Sequence, residues 1–166
     1  INSKNIEMHH NFYIYTKYLA EMYLSNIQKS DLNIVSLRTK SPYGYILNTK
    51  AVIPNFINRL KKNKKLILKG NTNKKIALTF VEDIGASCEY IFKKNISGVW
   101  NCIGHEQISI KKLALLVDLI FSKKITTQKY KNLKFTQKIK YKKNINLLKT
   151  SVKKGLIKIL KNEKLF

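Results

Sequence analysis

The chain has 166 residues, enough for one domain with a buried core but short for two ordinary domains. Lys and Arg number 33 against nine Asp and Glu, so the net charge is +24, which excludes an acidic or charge-balanced surface. Two cysteines exclude a disulfide framework, and the absence of any apolar run near 20 residues excludes an ordinary membrane-spanning helix. A cytoplasmic protein is therefore expected.

Helices and strands alternate along the chain, which predicts the α/β class. The first helix is marked by an apolar stripe at helical spacing, formed by Tyr15, Tyr18, Leu19 and Met22. The later predicted elements, in chain order, are a strand over 33–38, a turn over 41–44, a helix over 52–60, strands over 66–68 and 76–80, a helix over 84–92, a strand over 98–103, a helix over 110–121 and a last helix from 152. The Lys-rich stretch 122–150 gives no clear pattern.

Three polar residues stand directly before predicted helices. Asp83, Ser109 and Ser151 each precede an apolar, helically spaced run. Side-chain oxygens at such positions accept the unpaired backbone N–H groups of the first turn, so all three are predicted helix caps.

The spacing Tyr13-x-x-x-Lys17 places a phenol and an ammonium one turn apart on a helix. A cation beside a phenol favours the phenolate, which can act as a general base towards a hydroxyl that is losing hydride. Lys is so common here that the same spacing occurs again at Tyr90 and Lys94 and at Tyr130 and Lys134. The spacing alone therefore does not identify a site.

The sequence around the first pair is more informative. Residues 13–21, YIYTKYLAE, resemble the Y-G-x-S-K-x-x-A-E block of the extended short-chain dehydrogenase/reductases, the NAD-dependent sugar epimerases and dehydratases. Further blocks resemble those of the same family, in its order: VSLRTKSPYG at 35–44, VIPNFI at 52–57, the span from Gly70 to the VEDI at 81–84, GVWNCIG with ISI at 98–110, and SVKKGL at 151–156.

The resemblance implies the C-terminal half of an NAD(P)-dependent nucleotide-sugar epimerase, dehydratase or reductase. The implied fold is the last elements of a Rossmann-type parallel sheet over 1–50, followed by a small α/β substrate-binding domain over 51–166. The G-x-x-G-x-x-G turn that holds the cofactor pyrophosphate is absent from the sequence. NAD or NADP is therefore expected to be held mainly by a missing N-terminal Rossmann half, and this chain alone to be inactive. A homodimer is a further implied assembly.

The same resemblance assigns roles to particular residues. No metal site is expected, because the adjacent His9 and His10 would not share a helix face. Tyr13 and Lys17 would be catalytic and would also contact the cofactor. Ser41 would contact both cofactor and substrate. The remaining substrate-binding residues would be Val52, Pro54 and Phe56.

The sequence departs from the family pattern near the implied substrate. The family's Arg that contacts the substrate diphosphate falls on Ile76, which removes a bidentate phosphate clamp. Lys74 or Lys75 would replace it only in part, because an ammonium is a point charge. Ser41 stands in place of Asn, and Tyr45 in place of Pro.

Two other interpretations stay open. A nucleic-acid-binding module would use the high positive charge and the aromatic residues Tyr130, Phe135 and Tyr141, although Arg is scarce and no nucleic-acid-binding motif occurs. A non-catalytic remnant of the enzyme is the second alternative.

Overall fold

The structure is a computed structural model that describes residues 12–27, 32–47, 51–122 and 134–164. The alternation of helices and strands confirms the predicted α/β class. Tyr130, the tyrosine of the third Tyr–Lys pair, lies outside the described residues. The elements are α1 (Phe12–Asn26), β1 (Val35–Thr39), β2 (Pro42–Tyr43), α2 (Val52–Lys61), β3 (Lys75–Ala77), β4 (Thr79–Phe80), α3 (Val81–Lys93), β5 (Gly98–Cys102), β6 (Glu106–Ser109), α4 (Ile110–Phe121), β7 (Gln137–Lys138) and α5 (Val152–Asn162).

Among the described residues the strands form three small sheets. β1 and β5 pair in parallel, with Val35 opposite Gly98 and Thr39 opposite Cys102. β2 and β4 form a second parallel pair, whereas β3, β6 and β7 form an antiparallel sheet. A parallel pair needs a long crossover, and the chain between β1 and β5 supplies it with α2 and α3. β5 lies after residue 50 in the chain but pairs with β1, which lies before it. This pairing does not test the predicted division into domains 1–50 and 51–166, which stays a prediction.

The core lies mainly between the apolar faces of α2, α4 and α5. The predicted caps of α4 and α5 are confirmed: the Ser109 hydroxyl accepts the Lys112 N–H at 3.3 Å, and the Ser151 hydroxyl accepts the Lys154 N–H at 3.2 Å. The inward faces of these helices are buried as their spacing predicts. The most buried members are Ile57, Leu113, Val117, Ile120, Leu156, Ile159 and Leu160.

The single strand predicted over 76–80 is wrong. The chain changes partners at Leu78, so that β3 joins the antiparallel sheet and β4 pairs with β2. Thr79 fixes the change: its N–H donates to the Ser41 carbonyl at 3.3 Å, and its hydroxyl donates to the Lys40 carbonyl at 2.8 Å. The Gly104 N–H in turn donates to the Thr79 hydroxyl at 3.2 Å. These contacts orient the segment that enters α3.

Two further local predictions are wrong. Residues 66–68 form no strand, and Ile67 is 50% exposed, because no described strand pairs with this segment. Asp83 does not cap α3, which begins at Val81 after an extended Phe80. Asp83 is instead fully buried in the first turn, where its carboxylate accepts the Thr150 N–H at 3.0 Å and the Thr150 hydroxyl. A buried carboxylate is stabilised by such bonds, so it ties α3 to the segment that leads into α5.

Candidate functional site

The predicted catalytic pair lies on α1. The Lys17 ammonium is 5.6 Å from the centre of the Tyr13 ring, one turn along the helix. Tyr13 is 69% exposed, and its hydroxyl makes no hydrogen bond with a described residue. The expected pairing on one helix face is therefore present, with the phenol accessible to a ligand.

One ion pair fixes this helix relative to the parallel strands. The Glu21 carboxylate accepts two bonds from the Arg38 guanidinium, one of them from Nε at 2.9 Å. The hydrogen bond to Glu21 raises the pKa of Arg38 above its ordinary value. Arg38 thus attaches α1 to β1, although no side chain of α1 is buried among the described residues. The stripe from Tyr15 to Met22 is accordingly exposed to half-buried.

A pocket of about 680 Å³ lies where β2, the start of α2, β3 and the start of α4 meet. Three of the four predicted substrate residues line it: Ser41, Val52 and Pro54. Phe56 does not line this pocket; it is 4% exposed and packs in the core on the inner face of α2. The structure therefore brings together Ser41, Val52 and Pro54, while Tyr13 and Lys17 are not among the described lining residues.

The pocket wall formed by β3 shows the alternation of an extended chain. Lys74, Ile76 and Leu78 all line the pocket, because every second side chain of an extended segment faces the same side. Lys75 faces the other way, and its ammonium donates to the Gln137 side chain at 3.0 Å on β7. Of the two lysines considered as replacements for the family's Arg, only Lys74 is therefore placed at the pocket.

The sequence does not predict a set of linked hydrogen bonds between side chains at the pocket rim. Tyr45, which lines the pocket, donates its hydroxyl to Glu82 on α3, and Glu82 also pairs with Lys158 on α5. The Lys158 ammonium lies 5.6 Å from the centre of the Phe80 ring, beneath the rim. Lys158 is 76 residues from Glu82, so no local pattern indicates this contact.

This rim contact gives a pH prediction. Lys158 first, and then Tyr45, lower the pKa of Glu82 below its ordinary 4.5. A carboxyl whose pKa is lower in the folded state stabilises the fold above its unfolded pKa, and this stabilisation is lost as the pH falls through the folded pKa. Because the pair is largely exposed, the loss is expected to be at most about 1 kcal/mol. Urea unfolding of wild type and Glu82→Gln, compared at pH 7 and about pH 3, measures it.

Glu89→Gln is the matched control for this measurement. Glu89 also lies on α3 and pairs with a lysine, Lys93, but the pair is local to the helix and fully exposed. Its removal is expected to change the pH dependence less than Glu82→Gln does. Equal effects of the two substitutions would show that the rim contact does not stabilise the fold.

Asn101 holds the loop that precedes α5. Its side chain donates to the Lys142 carbonyl at 2.9 Å, and its backbone pairs with the segment around Asn144. Within the described ranges, no three His, Cys, Asp or Glu side chains come together as a metal site would require. No helix in these ranges is both long and apolar enough to span a membrane.

These features define an α/β protein with a Tyr–Lys helix attached to a parallel strand pair and a largely apolar pocket beyond it. The sequence model of the NAD-dependent epimerase/dehydratase family matches residues 2–102. The chain belongs to that family. No protein with a curated description matches the sequence.

Several solved structures share the fold of this chain. One is the UDP-N-acetylglucosamine 4-epimerase of Methanobrevibacter ruminantium M1 in complex with UDP-N-acetylmuramic acid, with TM-score 0.65 and 17% identity over 98% of this chain and 59% of that one. The Bordetella bronchiseptica enzyme WbmF in complex with NAD+ gives TM-score 0.67 and 20% identity over 96% and 57%. The UDP-glucose 4-epimerase of Thermotoga maritima with UDP-glucose gives 0.64 and 19% over 90% and 53%. This chain thus spans between half and three-fifths of their length.

Proposed function

We propose that this chain supplies the proton-transfer pair and part of the substrate pocket of an NAD(P)-dependent epimerase, dehydratase or reductase acting on a sugar or nucleotide sugar. The observation that carries the proposal is the Tyr13–Lys17 pair, an accessible phenol with an ammonium 5.6 Å from its ring centre. The attachment of its helix to β1 through Glu21 and Arg38 supports it. Family membership of residues 2–102, which include both side chains, gives independent support.

In the proposed reaction Tyr13 exchanges a proton with a hydroxyl of the sugar. As the carbon of that hydroxyl loses its hydrogen with both electrons, the hydroxyl proton passes to the Tyr13 phenolate, and a carbonyl and a neutral phenol result. The chemistry that NAD(P) would supply when bound is acceptance of the hydride. Lys17 places a positive charge beside the reacting phenol, since its ammonium lies 5.6 Å from the Tyr13 ring centre.

The residues of this chain fit part of a dinucleotide site. The Lys17 ammonium is exposed and forms no ion pair with a described residue, so it is available to a ribose hydroxyl, and Ser41 is the second proposed cofactor contact. None of the six glycines belongs to a G-x-x-G-x-x-G turn. The proposal therefore assigns the pyrophosphate cradle to an N-terminal Rossmann half outside these residues.

This division predicts how the chain binds cofactor. Alone, it is expected to show no saturable binding of NAD or NADP up to about 1 mM, a concentration that corresponds to only about −4 kcal/mol of binding free energy. Joined in frame to a Rossmann half with the glycine motif, it is expected to bind in the micromolar range. Calorimetric titration of both proteins provides the comparison. Micromolar binding by the chain alone would show that the cradle is wrongly assigned.

A further inference from the structure

The pocket offers few groups that can hold an anion. Lys74 is the only charged residue among the described residues that line it, and its ammonium pairs with no described carboxylate. The Tyr45 hydroxyl donates its single proton to Glu82 and so has none left for a ligand. Tyr43 also lines the pocket, but its hydroxyl is buried against α5, where a Cβ at Gly155 would lie 2.2 Å from it. The Ser41 hydroxyl is therefore the other side-chain donor on the described wall. Among the described residues, one ammonium and one hydroxyl limit the negative charge that the side chains of the pocket can balance.

The rest of the wall is apolar. Val52, Ile53 and Pro54 of α2 face Ile76 and Leu78 from β3 and its extension. Ile76 determines how the wall treats a phosphate group. An arginine guanidinium at this position would donate two parallel hydrogen bonds to phosphate oxygens, whereas the isoleucine side chain has no donor. Ile76 also packs against the buried core cluster, which fixes it as part of the wall. An anion beside this surface loses its hydration without gaining a partner.

We propose that the pocket binds an amphipathic anion, in which an apolar group fills the wall of Val52, Pro54, Ile76 and Leu78 and one phosphate monoester or carboxylate pairs with Lys74. This inference rests on the proposed function in that it takes the pocket as the site for the non-reacting part of the substrate. A nucleotide diphosphate fits less well, since it brings two phosphate groups to one cation and a polar base to an apolar wall. The substrate is thus a sugar derivative whose substituent has an apolar body and one anionic group.

The position of Lys74 is fixed by the backbone rather than by its own side chain. Its N–H donates to the Asn71 carbonyl at 3.2 Å, and its carbonyl accepts the Ile110 N–H at 3.3 Å. These bonds connect the lysine to the turn before β3 and to the start of α4, another wall of the pocket. The backbone of Lys74 is therefore held at the edge of the apolar surface, from which its ammonium can reach the head group of an amphipathic ligand.

Binding of octyl phosphate, octanoate, octanol and UDP to the full chain tests the proposal, measured by calorimetry below the micelle concentration. Both octyl anions are expected to bind more tightly than octanol and UDP, and the tighter of the two identifies the head group. Lys74→Met is expected to weaken the octyl anions roughly three- to tenfold, because the ammonium is exposed, and to leave octanol unchanged. Lys75→Met, the matched control of equal charge loss, is expected to bind as wild type does.

Three outcomes would overturn the proposal: tighter binding of UDP than of octyl phosphate, equal binding of octanol and octyl phosphate, or equal losses in Lys74→Met and Lys75→Met. Ile76→Arg adds a second test, since a guanidinium on this wall is expected to reverse the preference towards UDP. Circular dichroism checks that each variant folds. If Ile76→Arg does not fold, the comparison of Lys74→Met with Lys75→Met alone tests the proposal. The titration needs neither cofactor nor the Tyr13 hydroxyl, so its failure would leave the proposed proton transfer standing.

Discussion

Tyr13→Phe is expected to lower turnover of the complete enzyme about 10²- to 10⁴-fold, the usual contribution of a positioned general acid or base. The substitution removes only a hydroxyl. That hydroxyl is exposed and bonds to no described residue, so folding should not change. The measurement is kcat at saturating substrate, together with calorimetric affinity for NAD or NADP. Near-normal turnover would make Tyr13 an ordinary surface tyrosine.

Tyr90→Phe is the matched control for this prediction. Tyr90 lies on α3 four residues before Lys94, so it has the same spacing, and its helix is equally regular. It lies outside the block that resembles the family's Y-G-x-S-K-x-x-A-E pattern, and unlike Tyr13 it is half-buried. Turnover should therefore be unchanged. A comparable loss in Tyr90→Phe would mean that the assay reports folding rather than proton transfer.

Lys17→Met tests the second member of the pair. Turnover should fall, because the proton-transfer step would lose the cation that lies 5.6 Å from the Tyr13 ring centre. The measurement is kcat at saturating substrate and cofactor. Normal turnover of Lys17→Met would show that the ammonium takes no part in the reaction.

What could be predicted from the sequence depends on how locally each feature is determined. The caps of α4 and α5 are confirmed because Ser109 and Ser151 bond to N–H groups three residues ahead, within reach of a sequence pattern. Asp83 stands in the same kind of pattern, yet its carboxylate bonds to Thr150, 67 residues away. The sequence pattern shows that a side-chain oxygen is available near the helix start. It does not show that a residue far along the chain, here Thr150, binds that oxygen instead.

In the candidate site, too, local features could be predicted and long-range contacts could not. The family resemblance predicts Ser41, Val52 and Pro54 as substrate-binding residues, and the structure places all three on one pocket. Phe56 belongs to the same block, but the helical turn between it and Val52 directs it to the core. The Tyr45–Glu82–Lys158 chain joins three elements and has no sequence signature. Which lysine faces the pocket became clear only from the register of β3, since Lys74 and Lys75 are adjacent and identical in type.

The second large effect concerns Gly104, which lies between β5 and β6 and packs against Leu78, the residue between β3 and β4. A Cβ at this position would lie 1.8 Å from the Leu78 carbonyl oxygen and 2.9 Å from its carbonyl carbon. These are backbone atoms, held by the bonds of Thr79 to Lys40 and Ser41, so they cannot move aside as a flexible side chain would. Gly104→Ala is therefore expected to destabilise the fold by about 3 kcal/mol or more.

The control is Gly85→Ala on the exposed face of α3, where an added Cβ meets no atom within 4 Å. Alanine is favoured over glycine inside a helix, so this change is expected to stabilise by about 0.5–1 kcal/mol. Urea unfolding followed by the single tryptophan, Trp100, measures both variants on one scale. Because Leu78 also lines the pocket, Gly104→Ala should weaken octyl phosphate binding even where the protein is still folded. A Gly104→Ala protein as stable as wild type would mean that the close approach of Gly104 to Leu78 does not hold the β3–β4 junction.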